Sequence, residues 1–207
     1  MKLKFLYAGL LSFALVTGSS VVQAASDTLE RLKEGGYVVL IRHTDAFKGK
    51  DRDVTNLIDC RYQRNMSFKG MEDAMNIGKA VRALNIPVGL VAASPLCRTR
   101  QTAHLAFGPW NTVPEQGLYS VCEVKQADFD MRNKALSAML TVAPEEQTNS
   151  FLITHSCNMK GVQKGLVSLC GKALEQGDAL VYRPDGNGGT SFVGCISMDE
   201  WTEAAKL

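Results

Sequence analysis

VVLIRHTDA, residues 38–46, is the stretch on which the fold turns. Tyr37 to Ile41 is apolar without alternation. A run this short with no polar face predicts a strand buried on both sides, as in a parallel sheet. It ends on Arg42 and His43, so a guanidinium and an imidazole stand at the rim of the core. Ligands of open parallel sheets gather beyond the carboxyl ends of the strands. Other buried strands ending in polar groups would therefore build a site together with this one.

Two more runs behave the same way. Val88 to Ala93 is apolar and leads into Ser94-Pro95-Leu96-Cys97-Arg98, with the arginine at a helix start. Phe151 to Thr154 is apolar and leads into His155. Helices separate the strands. TLERLKE, residues 28–34, forms a short one, capped by Ser26 or Asp27 and ended by Gly35-Gly36. Ser67 starts another, with Ala74, Ile77, Val81 and Leu84 on one face and Pro87 beyond its end. Further helices are predicted over about 98–107, 129–142 and 159–169, and a terminal one over 199–206. Residues 44–66 read as a long polar loop, a kind that is often functional. Residues 110–128 hold one short strand and a loop. Strands at 179–182 and 192–196 flank a Pro-Asp-Gly-Asn-Gly-Gly turn. This alternation predicts an α/β domain around a mostly parallel sheet.

The chain has 207 residues, and its first 24 have the anatomy of a secretory signal peptide. Lys2 and Lys4 form a positive start, Phe5 to Val16 an apolar core, and Val22-Gln23-Ala24 a small-residue cut site. The apolar core is short of the roughly 20 residues that span a bilayer. Residues 25–207 are then a single domain, periplasmic or secreted, with no stable membrane insertion after cleavage. Without Lys2 and Lys4 the balance is 21 bases against 21 acids. Bulk charge thus gives no argument for a nucleic-acid or membrane-surface partner, and no nucleic-acid partner is expected. All six cysteines follow the leader, an even count that suits disulfides in an exported protein. No CxxC pair suggests a zinc site, and no metal or other cofactor is expected.

Two arginines and two histidines from distant positions suit one ligand. Guanidiniums fork onto the oxygens of a phosphoryl group. Backbone N–H groups at the helix start near Arg98 would add donors. A neutral imidazole can attack phosphorus, and fixed cations stabilise the charge of the transferring group.

"IRHT", "SPLCRTRQTA" and "ITHS", in this order on three strand ends, resemble the histidine phosphatase superfamily, also called phosphoglycerate mutase-like. The resemblance spans roughly residues 36–196. It implies a three-layer α/β/α sandwich with a mostly parallel central sheet. It implies that His43 is the nucleophile of a metal-independent phosphomonoesterase, that Arg42 and Arg98 clamp the phosphoryl group, and that His155 donates to the same oxygens. Thr44 stands where the family has glycine and is grouped with the substrate-binding positions. His155 is followed by Ser156 rather than aspartate, so the acid of the phytase branch is absent. In the smaller branch a glutamate between the second and third strands is the proton donor. Glu123 in "LYSVCEV" is the first candidate, with Glu115 and Asp128 as rivals. "DCRYQRNMSFKG" resembles a stretch of exported members, and there Arg64 either reaches the phosphate or stays a solvated loop cation. The same likeness suggests pairing of Cys60 with Cys97 and of Cys122 with Cys157. The most similar branch acts outside the cytoplasm, and its best-known example removes phosphate from the heptose of the lipopolysaccharide core. The expected partner is a small phosphorylated substrate, such as a phosphorylated sugar or glycolipid. Two other functions stay open: a phosphate-binding protein without turnover, and a phosphotransferase or mutase.

Overall fold

A computed structural model of the chain describes residues 27–52, 54–109, 112–122 and 125–207. The leader, residues 1–24, and Glu123 lie outside the described residues.

Six strands form one sheet in the order β3-β2-β4-β1-β5-β6. They are β1 Val38–Arg42, β2 Val88–Ala93, β3 Thr112–Pro114, β4 Asn149–Thr154, β5 Ala179–Pro184 and β6 Thr190–Ile196. The pairs β1–β4, β2–β4 and β2–β3 are parallel. The last two strands depart from that direction: β5 is antiparallel to β1, and β6 to β5. A short turn can only return a strand antiparallel, and the turn at 185–189 supplies it. There Asp185 Oδ1 accepts from the Asn187 and Gly189 amides.

Side-chain alternation sorts the sheet into two cores. Val39, Ile41, Val91, Phe151, Ile153 and Val181 pack on one face. It is covered by α1 (Phe68–Ala83), α2 (Cys97–Phe107) and α6 (Met198–Ala204) through Ile77, Ala103 and Trp201. Val38, Leu40, Leu152 and Leu180 pack on the other, against Leu136 of α3 (Gln126–Met139), Met159 of α4 (Ser156–Val162) and Leu166 of α5 (Leu166–Cys170). Helices on both faces of a mostly parallel sheet make the expected three-layer α/β/α sandwich. β4 is buried along its whole length, including the polar Asn149, Ser150 and Thr154 that flank its apolar centre.

The helix read over 159–169 is two helices. Gly165 adopts φ +68 between them, a left-handed conformation that glycine takes without steric cost. Helix α3 also starts earlier than its apolar pattern, at Gln126. At the terminal helix Ser197 accepts from the Glu200 amide while the Glu200 side chain returns to Ser197, a complete capping box.

Three disulfides are present, Cys60–Cys97, Cys122–Cys157 and Cys170–Cys195. Two are the expected pairs. The set fits an extracellular or periplasmic protein. Among the described residues no helix is long and apolar enough to cross a membrane.

Candidate active site

β2, β4 and β1 are neighbours and run the same way, so their carboxyl ends share one edge. The His43 amide donates to Thr154 O at 3.0 Å and the Ser94 amide to Ile153 O at 3.0 Å. The sheet ladder thus continues into the site residues and fixes their backbone. His43, Ser94 and His155 follow the three strands in turn, and α2 sets Arg98 beside them. Arg42, His43, Arg64, Arg98 and His155 line one cavity of about 350 Å³.

His43 lies at its base, only 2% exposed. Its Nδ1 is 2.8 Å from the Thr44 carbonyl. A carbonyl only accepts, so Nδ1 carries the proton and Nε2 the lone pair. Burial pushes the His43 pKa down to about 3. The Thr44 hydrogen bond opposes this shift, and Arg98, Arg42 and Arg64 reinforce it. The imidazole is therefore neutral near pH 7. Arg64 Nη2 stands 3.4 Å from Nε2, beyond a good hydrogen bond. Arg64 thus lines the cavity rather than standing in solvent.

Arg98 is 4% exposed. Its Nη1 donates to both carboxylate oxygens of Asp51, at 3.0 and 3.1 Å. Its Nη2 is 3.4 Å from His155 Nδ1. A guanidinium only donates, so Nδ1 accepts and the Nε2–H of His155 donates to Ser94 Oγ at 2.9 Å. In this tautomer the Nε2–H of His155 is engaged by Ser94, and Nδ1 faces Arg98. Donation to a phosphoryl oxygen would require a second proton on the ring or release from Ser94. Burial above all, then Arg98, holds the His155 pKa well below the usual histidine range. The two rings are 5.3 Å apart, edge to face. Arg42 is tied by Nη1 to the Leu174 carbonyl at 2.9 Å. The Nε atoms of Arg42, Arg64 and Arg98 are buried and make no hydrogen bond among the described residues. Three clustered guanidiniums face one carboxylate, Asp51, so the cavity favours an anion.

Several sequence-derived roles need revision. Thr44 does not line the cavity. It is fully buried, and its hydroxyl donates to the Gly70 carbonyl and meets Thr102 Oγ1. Thr102 in turn donates to the Arg98 carbonyl. Thr44 thus braces His43 against α1 and α2, where the hydroxyl finds partners that a glycine could not use. The helix N-terminus is also less available than expected, because the Cys97 amide donates to Gln63 Oε1 at 2.8 Å and the Thr99 amide to Leu96 O. Glu115 accepts from the Gly117 amide, and Asp128 is exposed on α3. Neither is on the cavity wall. His104 is exposed on α2, away from the cavity.

Sequence reasoning missed Asp51, Gln63 and Tyr119. Tyr119 lines the cavity and carries Arg132 over its ring at 4.4 Å. Gln63 is legible only once Cys60–Cys97 brings the loop to α2. A larger groove of about 730 Å³ lies elsewhere, against Leu29, Leu84, Ile196 and Ala204. Of its acids, Glu30 pairs with Lys33, Asp178 with Lys172 and Glu203 with Lys206, and Glu200 caps α6.

No protein-family model and no curated protein matches this sequence. Solved structures do. The protein histidine phosphatase SixA complexed with tungstate is 16% identical, with a TM-score of 0.52 over 79% of this chain and 97% of that one. A phosphoserine phosphatase of Entamoeba histolytica with 3-phosphoglyceric acid is 12% identical, with a TM-score of 0.53 over 80% and 98%. The alpha-ribazole phosphatase of Shigella flexneri is 15% identical, with a TM-score of 0.52 over 78% and 96%. The fold of this chain is the fold of these phosphatases.

Proposed function

We infer that this chain is an exported phosphomonoesterase that works through a phosphohistidine on His43. One observation carries the reading. The Nε2 lone pair of a buried, neutral His43 lies in a cavity that also holds Arg42, Arg64 and Arg98. A phosphoryl group seated on those guanidiniums meets the lone pair. Nε2 attacks phosphorus, the bond to the ester oxygen breaks, and the alcohol leaves. Water then attacks the phosphorus, and the P–N bond breaks back to Nε2. Positive charge fixed around the oxygens favours both transition states. The fold likeness supports this reading, as does a neighbour solved with tungstate, a tetrahedral oxyanion. Export rests on the leader and agrees with the disulfides. The substrate is proposed as a small phosphate ester, with a phosphorylated sugar or a glycolipid headgroup as the first class to examine. The side chains of the chain supply the chemistry, with no metal step.

A binding protein without turnover is the second reading. It is favoured by the Nε2–H of His155, which is held by Ser94 at 2.9 Å rather than free for a phosphoryl oxygen. Assay of residues 25–207 on a panel of phosphorylated sugars, nucleotides and lipids separates the two. Turnover of at least one monoester, lost in His43→Ala, is expected. Tight phosphate binding with no turnover of any ester would establish the second reading instead.

A further inference from the structure

We propose that Asp51 is the proton donor to the leaving group, and the base that later takes the proton of water. The proposal rests on the phosphatase reading of the same cavity. Among the described residues that line it, Asp51 is the one carboxylate. It is held in place: Oδ1 accepts from the Arg64 amide at 2.7 Å, and both oxygens face Arg98 Nη1.

Its depth suits the task. The Asp51 side chain is 24% exposed, whereas His43 at the base is 2% exposed. In-line attack from the base expels the ester oxygen toward solvent, and Asp51 is the more exposed of the two groups. The oxygens of a bound phosphoryl group can take over the donors of Arg98 that Asp51 now holds, which frees the carboxyl for the ester oxygen. Arg98 from α2, Arg64 from its own loop and the Tyr119 phenol act on Asp51, and Lys50 lines the same cavity. Asp51 enters the first step as the acid, its proton drawn from solvent. As the P–O bond breaks, that proton passes to the ester oxygen and the neutral alcohol departs. In the second half, the Asp51 carboxylate removes a proton from the attacking water and is restored as an acid.

The test is kcat/KM across aryl phosphates, from dinitrophenyl to unsubstituted phenyl, for the parent protein, Asp51→Asn, Asp51→Glu and Glu123→Gln. Only poor leaving groups need the proton. Asp51→Asn should lose on the order of 10²-fold more on phenyl phosphate than on dinitrophenyl phosphate. Asp51→Glu keeps the acid, so it should keep the parental dependence at a lower overall rate. Equal loss on all esters in Asp51→Asn would reduce Asp51 to a residue that positions Arg98, and the proposal falls. It falls also if Asp51→Glu shows the steep dependence, or if Glu123→Gln shows it in place of Asp51→Asn. A parent protein that hydrolyses none of the esters overturns the phosphatase reading itself, and with it this role.

Discussion

Acid should unfold this protein along a slope set by its site histidines. His43 is 2% exposed, with its pKa pushed down to about 3 by burial first and by Arg98, Arg42 and Arg64 after it. A free histidine titrates near about 6.5. Below that pH the unfolded chain binds a proton that the folded chain refuses, so stability falls as pH falls. The contribution of the neutral ring is complete above about 6.5 and is lost progressively down to about 3, at about 1.4 kcal/mol per pH unit. Solvent screening gives no reason to discount a group this deeply buried. From pH 7.5 to 4.5 the loss from His43 is about 2.5–3 kcal/mol, a large share of the about 5–15 kcal/mol typical of a domain. His155 acts with the same sign. Urea unfolding at the two pH values, read by the fluorescence of buried Trp201, gives the parental difference. In His43→Gln that difference should shrink by the amount above, because the amide does not titrate. An unchanged difference in the variant would refute the argument that His43 is buried neutral.

Arg98→Ala should lower kcat/KM on the order of 10²-fold or more, as loss of one preorganised donor does. Arg98→Lys should recover little of it, because an ammonium cannot fork between Asp51 and a second acceptor. Full activity in the lysine variant would show that charge alone suffices. Serine replacement of Cys60 and Cys97, which are 37 residues apart, should cost about 3–4 kcal/mol. It should also lower kcat/KM at least tenfold, because it frees the loop that carries Asp51 and Arg64. Replacement of Cys170 and Cys195, 25 apart and not on the cavity wall, should cost similar stability and leave kcat/KM within about twofold. Equal kinetic effects of the two removals would contradict the role given to the loop.

The three strand ends were legible because each rests on a local pattern, an apolar run that stops at a polar residue. β1, β2 and β4 fall where those runs fall, and parallel pairing then brings Arg42, His43, Arg98 and His155 to one cavity. Asp51 was not legible. KGKDRD, residues 48–53, has the look of a solvated charge run. The position of Asp51 depends on contacts far along the chain, to Arg64 and Arg98. Thr44 misled for a related reason. Adjacency to His43 in sequence suggested the ligand side, yet its hydroxyl bonds to Gly70, 26 residues away. The break at Gly165 escaped notice because apolar residues continue at helical spacing on both sides. The Cys97 amide at the α2 start is occupied by Gln63, a loop residue that the Cys60–Cys97 link brings to the helix. Cys170–Cys195 joins α5 to β6 across layers, a proximity that no motif encodes.

The central claim is that phosphorus bonds covalently to His43 Nε2 during turnover. Rapid quenching of the protein with a labelled aryl phosphate in alkaline denaturant, followed by peptide mapping, tests it directly. The account predicts an alkali-stable, acid-labile phosphoryl group on the peptide that contains His43, at close to one per chain for an ester with a fast first step. Vigorous turnover with no label on that peptide, or with the label on another residue, would contradict it.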